Sequence, residues 1–230
     1  VIHRLQVTSS TMKDAAALAA RIDGKEGAAH GTTVVTESQS AGIGRHGHAW
    51  HSEDLGGLYL SIILRIPGVG PSVTLALGLA VQEALQEVAG VSADLRWPND
   101  VMLNERKVAG ILVQAADDAL IAGIGINVNQ RQFPPDLAEI ATSLYLETGK
   151  TCDLETLLQR VVVLSLHHTK LPQPEILRKF EACSSYARGK AVEVEGTLGV
   201  TMGLDETGFL LVRTAAGIQK ITAGGVRPAQ

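Results

Sequence analysis

The sequence predicts an α+β fold, a mixed and largely antiparallel sheet with flanking helices followed by a small β-barrel. Three observations carry that prediction. Stretches with helical periodicity and recognisable ends alternate with apolar runs of strand length. Two of the β runs, Val108–Ala116 and Ala119–Val128, are separated only by Asp117-Asp118, which is hairpin spacing and implies antiparallel pairing. After about Ser185 the pattern changes to short β segments broken by Gly196, Gly199, Gly203, Gly208 and Gly217, the spacing of a small barrel. The expected division is therefore a main domain over 1–184 and a barrel over 185–230.

Taken in order, a helix is expected over Met12–Asp23, alanine-rich and stopped by Gly24, with Ser9, Ser10 and Thr11 as caps and Asp14 completing a weak capping box. Thr32–Thr36 is strand-like, and Leu58–Leu64 reads as a buried strand. Pro71–Ala89 is a strong helix, because Pro71 suits the first helical position and Gly90 the residue just past the end. Short strands follow around Leu95–Trp97 and Val101–Leu103, joined to the hairpin by a turn at Asn104-Glu105-Arg106. Helices over Leu154–His168 and Pro174–Cys183 complete the main domain. No internal repeat or low-complexity tract interrupts this order.

Composition excludes several classes of function. The chain has 230 residues, 19% charged and 45% hydrophobic, enough for a substantial core and incompatible with a disordered chain. A net charge of −4 argues against a nucleic-acid partner, which would need a basic patch. No apolar run approaches the ~20 residues of a membrane span, and the opening Val-Ile-His-Arg-Leu-Gln lacks the apolar core of a signal peptide. Cys152 and Cys183 form neither a disulfide framework nor a metal spacing, so a cytoplasmic protein is expected.

Candidate chemistry concentrates in Gln39–Trp50, which reads Gln-Ser-Ala-Gly-Ile-Gly-Arg-His-Gly-His-Ala-Trp. Gly42, Gly44 and Gly47 free the backbone for positive φ and close approach to a ligand, and Arg45, His46 and His48 are donors suited to carboxylate or phosphate. Alone, the segment also reads as a charged surface turn. Two further segments stand out, Arg96-Trp97-Pro98-Asn99-Asp100 and Lys107-Val108-Ala109-Gly110-Ile111-Leu112. Gly123-Ile124-Gly125-Ile126-Asn127 is not a dinucleotide fingerprint, because it lies inside a β pattern and Phe133-Pro134-Pro135 follows where a helix would be needed.

The three segments, in this order and spacing, resemble the active-site motifs of the biotin protein ligases. The likeness extends to Ser10-Thr11, to Gly123–Asn127 and to the tail Gly224-Gly225-Val226-Arg227, so it spans nearly the whole chain. It implies a class II synthetase-like catalytic domain with a Src-homology-3-like barrel, in the form without an N-terminal DNA-binding domain. Biotin and ATP, with Mg²⁺, would give biotinyl-5′-AMP, and a lysine of a biotin carrier protein, a carboxylase subunit, would then take the biotin. A monomer or homodimer is expected, with no nucleic-acid or membrane partner.

By this resemblance Lys107 bridges the biotin carboxyl and the adenylate phosphate, and Arg45 closes over the same groups. Activation joins several anions, so fixed cations and Mg²⁺ are what the step requires. Ser10, Thr11, Met12, Gln39, Ile43 and Gly44 complete the biotin site, the first two doubling as helix caps. Gly42, His46, Trp50, Arg96, Asn99 and Asn127 complete the ATP and adenylate site, Asn127 near the adenine. Asp100 would hold Mg²⁺ or a ribose hydroxyl; no residue stands out as the base for the acceptor lysine, for which Asp100 is a candidate and a lowered amine pKa in the carrier's own environment the alternative. This chain departs from the family loop in carrying Ile43, His46 and His48 at basic places, which lowers permanent charge and makes some of it pH-dependent, the unperturbed imidazole pKa being ~6.5. Met12 stands where Asn is common. Competing readings are a lipoate or octanoate ligase or transferase of the same architecture, a non-catalytic biotin-binding regulator, and a carrier-binding domain without chemistry. A lipoyl chain would want a more apolar slot than Ser10, Thr11 and Gln39 provide.

Overall fold

The structure, a computed structural model, describes residues 1–21, 25–52, 56–67 and 70–229, with His46 described by its backbone alone. Among the described residues twelve strands form two sheets, accompanied by five α-helices. The first sheet has seven strands in the order β1-β2-β3-β7-β6-β5-β4. These are β1 (Ile2–Thr8), β2 (Thr33–Gln39), β3 (Leu58–Leu64), β4 (Asp94–Arg96), β5 (Asp100–Leu103), β6 (Arg106–Ala116) and β7 (Ala119–Ile126). Only β1 and β2 run parallel, joined by helix α1 (Thr11–Ala19); the other pairs are antiparallel. The mixed, largely antiparallel sheet expected from the sequence is the one observed.

β3 is buried along its whole length, which is why Leu-Tyr-Leu-Ser-Ile-Ile-Leu shows no alternation. One face of the sheet packs on α2 (Pro71–Ala89) and α4 (Leu154–His168), through Leu60, Ile62, Leu77, Leu85, Val161 and their neighbours. The other face packs α1 through Met12, Ala15 and Ala19 against Val34, Ile63 and Ile121. α2 keeps its expected ends, with Pro71 in the first turn and Gly90 left-handed at φ 70°. The hairpin β6–β7 turns at Asp117-Asp118, with Asp117 at positive φ, and β5–β6 turns through Asn104 and Glu105, both at positive φ as a type I′ turn requires.

Several elements differ from expectation. α1 ends at Ala19, and the expected stop at Asp23-Gly24 lies outside the described residues. No capping box forms: Ser10 makes no side-chain cap, and Asp14 accepts instead from Thr8 Oγ1 at 2.6 Å. β1 was not predicted, because as an edge strand it is exposed along most of both faces and has no apolar alternation. The short α3 (Leu144–Thr148), capped by Ser143, was also missed, and α5 spans Gln173–Ala182, one residue earlier than expected. The Trp97–Pro98 peptide is cis.

The second sheet contains β8 (Arg188–Val194), β9 (Thr197–Leu204), β10 (Leu210–Thr214), β11 (Gly217–Ile221) and β12 (Arg227–Pro228), in the order β11-β10-β9-β8-β12. Register shifts at Arg188/Ala191 and Leu211/Val212 bend it. Among the described residues β11 and β12 do not pair, so the expected barrel is an antiparallel sheet left open on one side. It is fastened to the first sheet around the Arg96–Asp100 segment. Trp97 Nε1 donates to the Gly208 carbonyl at 3.0 Å, Arg96 stacks on Tyr186 at 4.1 Å, and Ser185 donates to Asp94.

Candidate active site

The cavity at the centre of the first sheet opens on the face that carries α1. Glycines make its floor: Gly110 of β6 is paired with Gly125 of β7, and Gly123 lies two residues away. A Cβ at Gly125 would lie 2.5 Å from Trp50 Cε2, and one at Gly123 would lie 2.5 Å from Met12 Sδ. Without side chains of its own, the floor lets Trp50 and Met12 lie close upon it. We expect Gly125→Ala to lower thermal stability, since its φ does not strain an L residue but the added Cβ overlaps the Trp50 ring. The same change should lower the rate of the site's reaction about tenfold or more by displacing Trp50. A thermal melt beside a kinetic assay checks both halves, and unchanged kinetics would mean that Trp50 tolerates the shift.

Lys107 stands over this floor because of a β-bulge. Asp100 pairs with Gly110 and Val101 with Ala109, but Met102 pairs with Lys107, so Val108 is the extra residue. Gly110 lies three positions after Lys107, an odd spacing that a regular strand sends to opposite faces. The bulge cancels the mismatch. Val108 goes into the core and the Lys107 chain crosses above Gly110, where a Cβ would meet Cε at 2.9 Å. Lys107 Nζ is 2.6 Å from Asp100 Oδ1 and 5.3 Å from the centre of the Trp50 ring.

One end of the cavity is polar, and its hydrogens can be assigned. The Thr11 backbone N–H donates to Gln39 Oε1 at 2.9 Å, which fixes the amide orientation of Gln39. Thr11 Oγ1, 3.2 Å from the same Oε1, must therefore donate to it. Gln39 Nε2 gives one hydrogen to Ser52 Oγ at 3.1 Å and keeps a second. The cavity is thus offered an acceptor by Thr11 and a donor by Gln39.

Arg45 closes the side toward the second sheet. It begins a single 3-10 turn, Arg45–Gly47, with Gly47 at φ 79°. Its Nη1 donates to Asn99 Oδ1 at 2.9 Å and to the Gly224 carbonyl at 3.0 Å. Burial lowers the pKa of Arg45, opposed by the carboxylates of Asp100 and Glu195. Of the three loop glycines only Gly47 uses positive φ; Gly42 and Gly44 are instead places where a side chain would strike Trp50, Ser52 or His48.

Of the residues expected at a site, Thr11, Met12, Gln39, Ile43, Gly44, Arg45, Trp50, Asn99 and Lys107 line this cavity of about 50 Å³. Trp50 and Lys107 also line a neighbouring cavity of about 170 Å³ with Asn127, Leu137, Ile140 and Ala141. Asp100 touches the site through Lys107. Ser10 lines neither cavity; its buried Oγ has no partner. Gly42 lies behind the loop, against Trp50 and Ser52. The His46 side chain lies outside the described residues. Arg96, expected on an ATP phosphate, lines neither cavity. It is 6% exposed, pairs with Glu105 at 2.7 Å and stacks on Tyr186, because its strand turns it toward the second sheet.

Sequence reasoning missed Ser52, Ser61 and the Leu137–Ala141 wall. Ser61 had a signal, as the one aliphatic hydroxyl in an apolar strand. The wall follows Phe133-Pro134-Pro135 in irregular chain and had none.

Comparison with known proteins gives a consistent set. Residues 5–130 match the model of the "Biotin/lipoate A/B protein ligase family", and residues 189–226 match the "Biotin protein ligase C terminal domain". The chain is 37% identical to the bifunctional ligase/repressor BirA of Bacillus subtilis, covering 96% of this chain and 71% of that protein. It is 30% identical to the biotin–[acetyl-CoA-carboxylase] ligase of Mycobacterium tuberculosis, covering 98% of this chain and 87% of that one. Its structure is similar to that of a biotin protein ligase from Aquifex aeolicus in complex with biotin and ATP, with a TM-score of 0.88, 34% identity and 99% of each chain covered.

Proposed function

This chain belongs to the biotin/lipoate A/B protein ligase family, and on that premise we propose that it activates biotin with ATP and transfers it to a lysine of a biotin carrier protein. It is an AMP-forming ligase. A biotin carboxylate oxygen attacks the α-phosphorus of ATP, a P–O bond forms and pyrophosphate leaves. The acceptor amine then attacks the acyl carbon of biotinyl-5′-AMP, AMP leaves, and the amine gives up a proton as the amide forms.

The observation that carries this reading is Lys107 standing at the junction of two cavities over a glycine floor. A cation there serves the developing charge on the α-phosphate and the entering carboxylate together, where preorganised charge lowers the barrier most. We assign the cavity with Thr11 and Gln39 to biotin and the one with Asn127 to adenine. A ureido group has N–H donors and a C=O acceptor, the complement of the Thr11 acceptor and the Gln39 donor. An alkyl or dithiolane end would leave both unpaired.

Among the described residues no group of three or more His, Cys, Asp or Glu could hold a metal ion. Mg²⁺ with nucleotides commonly sits on one or two carboxylates completed by phosphate oxygens and water. Asp100, a carboxylate at the edge of the site, fits that mode. When bound, the ion supplies neutralisation of phosphate charge. Asp100 also orients Lys107.

The acceptor we infer is a biotin carrier subunit of a carboxylase. We divide the chain between residues 184 and 185 and assign it to the cytoplasm, where its two free cysteines fit; burial holds both thiols above their ordinary pKa. No helix among the described residues is long and apolar enough to cross a membrane.

ATP–pyrophosphate exchange tests the reading. Exchange should depend strongly on biotin and stay near background with lipoate or octanoate, because a site built to hydrogen-bond rejects analogues that lack the groups. Equal or greater exchange with lipoate would move the assignment to the other branch of the family.

A further inference from the structure

We propose that Ser61 is a positioning residue for ligand selection, acting through Thr11. Ser61 lies in the middle of β3, fully buried, and its Oγ is 2.8 Å from Thr11 Oγ1. It does not line the cavity. The direction of this bond follows from the bonds beyond it. The Thr11 N–H fixes the Gln39 amide, Gln39 Oε1 takes the Thr11 hydroxyl hydrogen, and so the hydrogen between Thr11 and Ser61 must come from Ser61. The order Ser61→Thr11→Gln39 has one consistent sense.

That sense matters because a hydroxyl rotor is otherwise indifferent. The bond from Thr11 to Gln39 is 3.2 Å, longer than the usual range for O–H donation. With Ser61 donating from behind, the Thr11 hydrogen is confined to Gln39, and the lone pair left over is all that the cavity meets. Without Ser61, Thr11 Oγ1 loses the one donor it has among the described residues, and its hydrogen, held by the long bond to Gln39 alone, can turn into the cavity. An acceptor then becomes a donor, and the site loses its preference for a ligand N–H. A hydroxyl fully buried on the face that carries α1, the face of Ile63, is otherwise a cost to the core, so its pairing with Thr11 is what justifies its place.

The inference deepens the proposed biotin activity and rests on it. Its test compares S61V with S61T in the full chain, since the two side chains share a shape and differ by the hydroxyl. Biotin and ATP KM are read by pyrophosphate exchange. S61V should raise the biotin KM about tenfold or more, with kcat and the ATP KM within about twofold of the parent; S61T should hold the biotin KM within about threefold. Equal shifts in both variants would make Ser61 a packing residue, and no shift in either would remove it from ligand selection; both results overturn the proposal. If the parent itself shows no biotin-dependent exchange, the biotin reading falls and takes this inference with it. That result is distinguishable because it appears before any substitution.

Discussion

Lys107→Ala is expected to lower kcat/KM for biotin adenylation by roughly 30- to 1,000-fold, the ~2–4 kcal/mol that one preorganised charge contributes to a transition state. The lysine is placed for that role by its neighbours rather than by flexibility. The β-bulge sends it over Gly110, and Asp100 holds Nζ at 2.6 Å. Stability should change little, because the side chain is about one-third exposed and leaves no core cavity. Transfer from chemically prepared biotinyl-5′-AMP to carrier should be less affected than adenylation, since the pyrophosphate leaving group is already gone. Pyrophosphate exchange and single-turnover transfer measured on the same preparation separate the two steps. Wild-type adenylation in the variant would take Lys107 out of the chemistry.

Arg45→Gly should let the adenylate escape. Biotinyl-5′-AMP is a mixed anhydride open to water and to any amine, so the enzyme must cover it until the carrier arrives. Arg45 ties its loop to Asn99 on one side and to the Gly224 carbonyl on the other. Glycine removes both bonds and leaves the loop to meet an ordering cost of ~1–2 kcal/mol per residue unaided. We expect release of the intermediate to rise about tenfold or more, with lysines on bystander proteins becoming biotinylated. Hydrogen exchange across residues 40–50 should slow with biotin plus ATP in the parent and much less in the variant. Retention of the adenylate for as long as in the parent would show that another group is the latch.

The long elements were legible because local signals agreed with packing. Pro71 and Gly90 bracket α2, and the apolar periodicity of Leu154–His168 gave α4 to the residue. β1 was illegible because its parallel pairing with β2 is decided across twenty-four residues of intervening chain. In the site, Thr11, Gln39, Arg45 and Lys107 could be picked out by motif, but their convergence could not be derived from it. The bulge at Val108 reverses the alternation that places every other residue of β6, so strand periodicity alone sends Lys107 to the wrong face. Arg96 shows the opposite error. A cation in a motif reads as a ligand contact, and only the second sheet, with Tyr186, reveals that it fastens two parts of the molecule together.

The chain contains two tryptophans, and they sit in environments that divide its fluorescence between two questions. Trp50 lies across the glycine floor beside the Lys107 ammonium, with its Nε1 unpartnered, so filling either cavity must change its polarity and its quenching. Trp97 is 3% exposed, and its indole N–H is held by the Gly208 carbonyl of the second sheet, so its emission follows whether the two sheets stay docked. Trp97→Phe therefore leaves Trp50 as the one tryptophan, whose emission reads occupancy, and Trp50→Phe leaves Trp97, whose emission reads docking. A stopped-flow record from each would time ligand entry against any separation of the sheets without an attached dye.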